Sequence, residues 1–167
     1  MTLQKVDWDY DVRRTLDEIL AVAAKELNFD GDKEIERALL LVIPPEGGPL
    51  EVRAGYQAGE DLTFSHTIVE ETIRTGRPVL SPNACEDPRF RHAESIRDLK
   101  VLSCIAVPLK ADGEILGAVY VEGRSPRSIF QQSDQEFLEE FARTIPPYVK
   151  TAVTHEKHVK EIRKLRD

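Results

Sequence analysis

The chain has 167 residues, of which 41% are hydrophobic and 32% charged, and its formal net charge is −7. This length and composition predict one globular domain with a core of ordinary size. The acidic balance argues against a nucleic-acid surface, for which clustered lysine and arginine are expected. The two cysteines are too few for a disulfide framework, and no apolar run approaches the roughly 18 residues of a membrane span. We therefore expect a cytoplasmic protein without membrane contact.

The first half of the chain predicts a helix, a β-hairpin and a second helix. Apolar residues recur at steps of three and four over 9–28, which is typical of an amphipathic helix. The apolar run 37–43 ends at a proline pair, and 50–54 alternates beyond a glycine turn, so both are predicted as paired strands. A glycine-bearing loop at 55–63 leads to a helix predicted over 65–75.

The next part of the chain predicts three strands and one long connection. Residues 78–80 form a short strand, and 81–98 form a connection with a short helix near 91–98. A connection of this length in a compact domain is often functional. The runs 103–109 and 114–122 flank an Asp-Gly turn and predict a hairpin.

The C-terminal part predicts two consecutive helices. Ser133 and Glu136 have the spacing of a capping box at the start of the first helix. Pro146 and Pro147 remove helical donors, so we expect a kink near Ile145 and a fresh helical start after it. The second helix is charged up to its abrupt end, which leads us to expect that this sequence belongs to a longer protein.

Several short phrases of the chain are specific when they are taken together in their order and spacing. They are Phe64-Ser-His-Thr-Ile-Val69, Thr75-Gly-Arg-Pro-Val79, Asp87-Pro-Arg-Phe90, Val107-Pro-Leu109, Leu116-Gly-Ala-Val-Tyr-Val121, and Phe130 followed by Ser133-Asp134. With these phrases the chain resembles the GAF family from about Val12 to Ala152, in particular the GAF domains that precede the ATPase module of sigma-54-dependent transcriptional activators.

The resemblance implies an α+β fold of the GAF type, which is PAS-like. Its central antiparallel sheet is expected to have six strands, with helices packed on one face and a ligand pocket on the other. Long N- and C-terminal helices are expected to form a homodimer. We expect residues 1–146 to form the sensory domain and 147–167 a linker helix that carries the signal.

The resemblance also implies a regulatory domain that senses a small molecule and is not an enzyme. An output module such as a sigma-54-type ATPase is expected to respond, by regulating transcription. No motif identifies the ligand or a cofactor. The ligand is expected between the sheet and the loops 55–63 and 81–98, and the residues expected to line the pocket are Arg53, Phe64, Asp87, Arg89, Phe90, Ser95, Ser103, Ala106 and Tyr120.

Several of these residues also have a structural interpretation. Asp87, Arg89 and Phe90 form either a loop clamp or a ligand contact. Strand alternation sends Ser103 and Cys104 to opposite faces, so that only one of them meets the pocket. The Tyr120 hydroxyl either enters the pocket or fills the core.

Two other functions remain open on the sequence. A ligand-free dimerisation module would fill the pocket with its own side chains. An enzyme like the free methionine sulfoxide reductases, a GAF relative, would need Cys85 and Cys104 within disulfide range. The four histidines are scattered without metal-ligand spacing, so no metal site is predicted.

Overall fold

A computed structural model of the protein describes residues 8–27, 35–58, 64–126 and 129–166. These residues contain helices on both sides of one antiparallel sheet, which confirms the predicted α+β fold. In chain order the elements are α1 Trp8–Leu27, β1 Arg37–Val42, β2 Glu51–Tyr56, α2 His66–Thr75, β3 Val79–Ser81, α3 Glu94–Leu99, β4 Ser103–Ala111, β5 Glu114–Gly123, α4 Gln132–Thr144 and α5 Pro146–Arg166.

The sheet of the described residues has five strands in the order β2-β1-β5-β4-β3, and every neighbouring pair is antiparallel. These are the five strands that the hydrophobic pattern predicted, whereas the family resemblance implied six. The long connection between β3 and β4 adds no strand, because its backbone forms turns and α3 instead. Within this connection, Ala84 donates its N–H to the carbonyl of Leu102, the residue before β4, at 2.7 Å.

Helices cover both faces of the sheet, which corrects the expectation that they pack on one face. The hydrophobic core under α1, α4 and α5 includes Ile105 and Val107 of β4. The core under α2 and α3 includes Cys104 and Ala106 of the same strand. Because β4 is apolar on both faces, each face has to be covered, and alternation assigns successive side chains to opposite layers.

Two glycine-dependent backbone features position the central strands. The β4–β5 turn has positive φ at Asp112 (54°) and Gly113 (79°), as the predicted type I′ hairpin requires. Gly117 of β5 approaches β1 so closely that a Cβ atom there would lie 1.9 Å from the Leu41 carbonyl oxygen. The glycine in the phrase from Leu116 to Val121 therefore permits the contact between β1 and β5.

The break between α4 and α5 lies where the proline pair predicted it. Helix α4 ends at Thr144, Ile145 follows, and α5 begins at Pro146. The predicted cap of α4 at Ser133 is wrong: Gln131 is the N-cap, and its N–H donates to Asp134 Oδ2 at 2.7 Å. The helix starts earlier because the preceding Phe130 N–H is fixed by Ser103 Oγ at 3.0 Å.

Candidate functional site

The sheet face under α2 and α3 brings together four of the residues expected to line a pocket. Phe64, Phe90, Ala106 and Tyr120 are respectively 6%, 2%, 0% and 0% exposed. All four belong to one hydrophobic cluster that also contains residues of α2 and α3. Among the described residues these side chains therefore contact one another, while positions 59–63 of the expected covering loop lie outside the described residues.

Asp87 and Arg89 form a clamp that holds the connection against β3. Asp87 accepts hydrogen bonds from Ser81 Oγ at 2.7 Å and from the Arg89 N–H at 3.0 Å. Arg89 donates to Asp87 Oδ2 at 2.7 Å and to the Leu80 carbonyl at 2.9 Å, and its guanidinium lies 4.8 Å from the Phe90 ring centroid. The geometry of these residues is that of a loop clamp, and ligand contact by Asp87 or Arg89 stays a prediction.

The clamp fixes the charge state of Asp87. The side-chain hydrogen bond from Arg89, assisted by the one from Ser81, outweighs burial and lowers the pKa of Asp87 to about 2. The same pairing raises the pKa of Arg89. Both groups are therefore ionised near neutral pH, and they form an ion pair within the loop. The Arg89 side chain of this pair is half exposed.

A buried charge cluster lies at the end of β5, and the sequence analysis missed it. Glu122 is 0% exposed and accepts from Arg37 Nε at 2.6 Å, from Arg124 at 2.9 Å and from the Tyr120 hydroxyl at 2.5 Å. Burial, followed by the charge of Glu122, raises the pKa of Tyr120 and also that of Cys104. The sequence feature that could have indicated this cluster is the pair of charged residues, Arg37 and Glu122, at the ends of otherwise apolar strands.

Arg53 and Ser103 do not lie on this face, although the sequence placed them beside the other expected pocket residues. Ser103 points to the other layer, where its Oγ donates to the Ser81 carbonyl at 3.2 Å and accepts from the Phe130 N–H. Arg53 has no Cα partner where the β1–β2 register shifts, and it faces α5. The side chain of Ser95, in α3, lies outside the described residues.

Helix α5 lies on the opposite face with open space on both sides. Its buried residues, Pro146, Val149 and Ala152, are confined to its first two turns. A cavity of about 400 Å³ separates α5 from α1 and β2, and another of about 380 Å³ separates it from the β1–β2 turn and β5.

Two ion pairs fasten α5 to the sheet. Arg53 of β2 pairs with Glu156 at 2.7 Å, and Lys150 pairs with Asp112 of the β4–β5 turn at 2.5 Å. The first pair is partly shielded, since the two side chains are 24% and 18% exposed, whereas Lys150 and Asp112 are exposed. Beyond the first two turns of α5, none of its described residues is buried.

In the part of the chain that the structure describes, no group of three or more His, Cys, Asp or Glu side chains is placed to hold a metal ion. Within the same residues, no helix has both the length and the apolar character needed to cross a bilayer.

Comparison with known families decides the classification of the chain. The family model of the GAF domain matches residues 11–145. The chain belongs to the GAF family. It is 29% identical over 146 residues to the Nif-specific regulatory protein of Azospirillum lipoferum, a match that covers 81% of this chain. The chain spans 22% of that relative's length.

Solved structures share the fold at low sequence identity. A GAF domain region from Geobacter sulfurreducens superposes with a TM-score of 0.66 and 19% identity, covering 89% of this chain and 99% of the other. The type II free methionine-R-sulfoxide reductase of Thermoplasma acidophilum superposes with a TM-score of 0.64 and 16% identity, covering 86% and 95%. At these identities the likeness shows the fold alone.

Proposed function

We propose that this GAF domain is a regulatory sensor whose α5 passes a conformational change to an output module. The observation that carries the proposal is the packing of α5, which is anchored by three buried residues and two ion pairs beside two cavities. A helix held by few contacts exchanges between different arrangements on the domain, and modest binding energy is able to shift the populations of these arrangements.

The output we propose is transcription, through an attached module such as a sigma-54-type ATPase. The Nif-specific regulatory protein supports this proposal, because it is a regulator by name and is much longer than the match. The natural boundary is the Ile145 junction, with residues 1–146 as the sensory domain and 147–167 as the signalling helix. We further propose a cytoplasmic location without direct nucleic-acid or membrane contact.

A homodimer through α1 and α5 belongs to the same proposal. Val22 of α1 and Tyr148, Ile162 and Leu165 of α5 are large hydrophobic residues that are 54% exposed or more. Such side chains are commonly covered in an assembly. Pairing two α5 helices would carry a change in their angle directly to paired output modules.

A ligand-free dimerisation module is the second candidate, and the packing of the α2 face favours it. The residues expected to line a pocket there are buried against one another, as described above. In that case regulation would come from association alone, and α5 would be a dimerisation element.

We propose that the domain is not an enzyme of the sulfoxide-reductase kind. Cys85 and Cys104 are both free thiols. Cys104 is fully buried and its pKa is raised, chiefly by burial, so its nucleophilic thiolate is disfavoured. Cys85 is exposed and donates to the Val101 carbonyl. The test is reduction of free methionine sulfoxide by the purified chain, before and after alanine substitution of both cysteines. A reductase activity that is lost on substitution would support this chemistry, and an activity that is retained would rule out a role for the two cysteines.

Native mass spectrometry of the purified full chain tests the sensor against the dimerisation module. The sensor proposal predicts a dimer carrying a small molecule that is released on denaturation. A dimer that binds no small molecule, even from a cell extract, would favour the second candidate. An empty monomer would contradict both.

A further inference from the structure

The cavity between α1, β2 and α5 has the size and lining of a small-molecule site. Its volume of about 400 Å³ falls within the usual range for ligand pockets, roughly 300–1,000 Å³. Its apolar floor includes Leu16, Val42, Val149 and Ala152. It lies on the α5 face of the sheet, so it is separate from the pocket expected under α2 and α3.

The charged residues around this cavity have an excess of cations. Four basic and two acidic side chains line it, although the whole chain has a net charge of −7. Within the described residues, no ion pair is formed by the three basic side chains other than Arg53. The basic residues are Arg13, Arg53, Lys160 and Arg163, and the acidic ones are Glu51 and Glu156.

Arg53 is placed between the two acidic residues and retains one unused donor. Its terminal nitrogens pair with Glu51 at 2.5 Å and Glu156 at 2.7 Å. Its Nε is buried and has no hydrogen-bond partner among the described residues. Arg53 is therefore already paired with both acidic residues of the lining, and the excess positive charge of the cavity comes from the three other basic side chains.

We infer that this cavity binds an amphipathic organic monocarboxylate. The apolar floor accepts the hydrocarbon part, and the carboxylate lies beside Lys160 and Arg163, whose positive charges favour an anion and disfavour an ammonium group. Binding itself is independent of the proposed function. The bound ligand would contact both α5 and β2 and so stabilise the position of α5. Only this consequence rests on the proposed function.

The test measures binding of octanoate to the full chain by calorimetry and by methyl NMR, with octan-1-ol and octylamine as neutral and cationic probes of equal length. We expect saturable one-to-one binding of octanoate with a dissociation constant below about 1 mM. The shifted methyl signals are expected to be those of Leu16, Val42, Val149 and Ala152. The two other probes are expected to bind at least about tenfold more weakly.

A matched pair of variants isolates the charge contribution. K160Q/R163Q removes two exposed cations that line the cavity, and we expect octanoate affinity to fall roughly three- to tenfold. K164Q/R166Q makes the same charge change on the same helix at exposed positions outside the lining, and its affinity is expected to stay within about twofold of the unmodified chain.

Four results would overturn the inference while leaving the proposed function standing. The first is no saturable octanoate binding up to about 10 mM. The second is equal affinity for octan-1-ol, and the third is an equal loss of octanoate affinity in the two double variants. The fourth is methyl shifts that depend on protein concentration rather than on octanoate, which would show that a second copy of the chain covers the cavity.

Discussion

The sheet face under α2 and the surroundings of α5 on the opposite face are packed differently. Under α2 and α3, aromatic and aliphatic side chains are almost fully buried, the Asp87–Arg89 clamp closes the connection, and Glu122 has three partners. Under α5, cavities of about 400 and 380 Å³ lie on either side of a helix with three buried residues. The difference indicates that the α2 face is the rigid part of the domain and the α5 face the adaptable one.

The largest expected effect comes from the centre of the sheet, on which both faces depend. Gly117→Ala places a Cβ 1.9 Å from the Leu41 carbonyl oxygen, so β1 and β5 have to separate. We expect the free energy of unfolding to fall by about 3 kcal/mol or more, measured by urea denaturation.

The control for this variant is Gly113→Ala, where a new Cβ meets nothing within 4 Å but φ is +79°. It is expected to cost about 1 kcal/mol from backbone strain alone. If the two variants lost equal stability, the close approach of β1 and β5 would not be what requires Gly117.

The next largest effect is expected within the α2 face. Glu122→Gln removes the negative charge that compensates Arg37, which is 3% exposed. We expect a loss of about 3 kcal/mol in thermal or urea unfolding, because the buried guanidinium of Arg37 loses the negative charge of Glu122. Glu114→Gln, at an exposed position of the same strand, is the matched control. A Glu122 variant as stable as the control would refute the view that this face is rigidly specified.

The loop clamp predicts a smaller, pH-dependent effect. Asp87 has a pKa of about 2 in the folded chain, below its usual unfolded value of about 3.9. Its stabilising contribution is therefore complete above the unfolded pKa and is lost as pH falls through the folded one. Asp87→Asn is expected to cost about 1 kcal/mol near neutral pH, a value reduced for the solvent around half-exposed Arg89.

Urea unfolding of both proteins across the acidic range checks the clamp. The difference between the unmodified chain and Asp87→Asn is expected to shrink between about pH 4 and pH 2. A difference that stays constant across that interval would show that the carboxylate charge does not contribute to stability.

The smallest effect on global stability is expected on the α5 face. Glu156→Gln breaks the ion pair with Arg53, in which the side chains are 24% and 18% exposed. We expect the global free energy of unfolding to change by about 0.5 kcal/mol or less, while amide exchange in α5 becomes faster. Glu161→Gln, exposed on the same helix, is expected to change neither quantity. Equal exchange in the two variants would mean that the Arg53 pair does not hold α5.

The sequence predicted those features that depend on local pattern. The five strands follow from apolar runs and alternation, the β4–β5 turn from Asp112-Gly113, and the α4–α5 junction from the proline pair. The GAF phrases correctly indicated the family, and a close backbone contact explains why one of them contains a glycine at position 117.

Features that depend on pairing across the sheet could not be predicted from the sequence. Arg53 faces α5 because the β1–β2 register shifts beside it. No residue type in β2 indicates a β-bulge at this position. Ser103 faces the layer of α1, α4 and α5 and Cys104 faces α2 and α3, an assignment that alternation leaves open. The Glu122 cluster joins β1 to β5, residues 85 positions apart in the chain.

Native-state hydrogen exchange tests the central claim most directly. Amides of α5 around Val149 to Glu156 are expected to open locally, with a free energy at least about 2 kcal/mol below that of β5 and with little dependence on denaturant. The amides of β5 and of α2 are expected to exchange through global unfolding. If the α5 amides exchanged with the same free energy and denaturant dependence as β5, the helix would be an integral part of the rigid core. That result would contradict the view that α5 is the adaptable part of the domain.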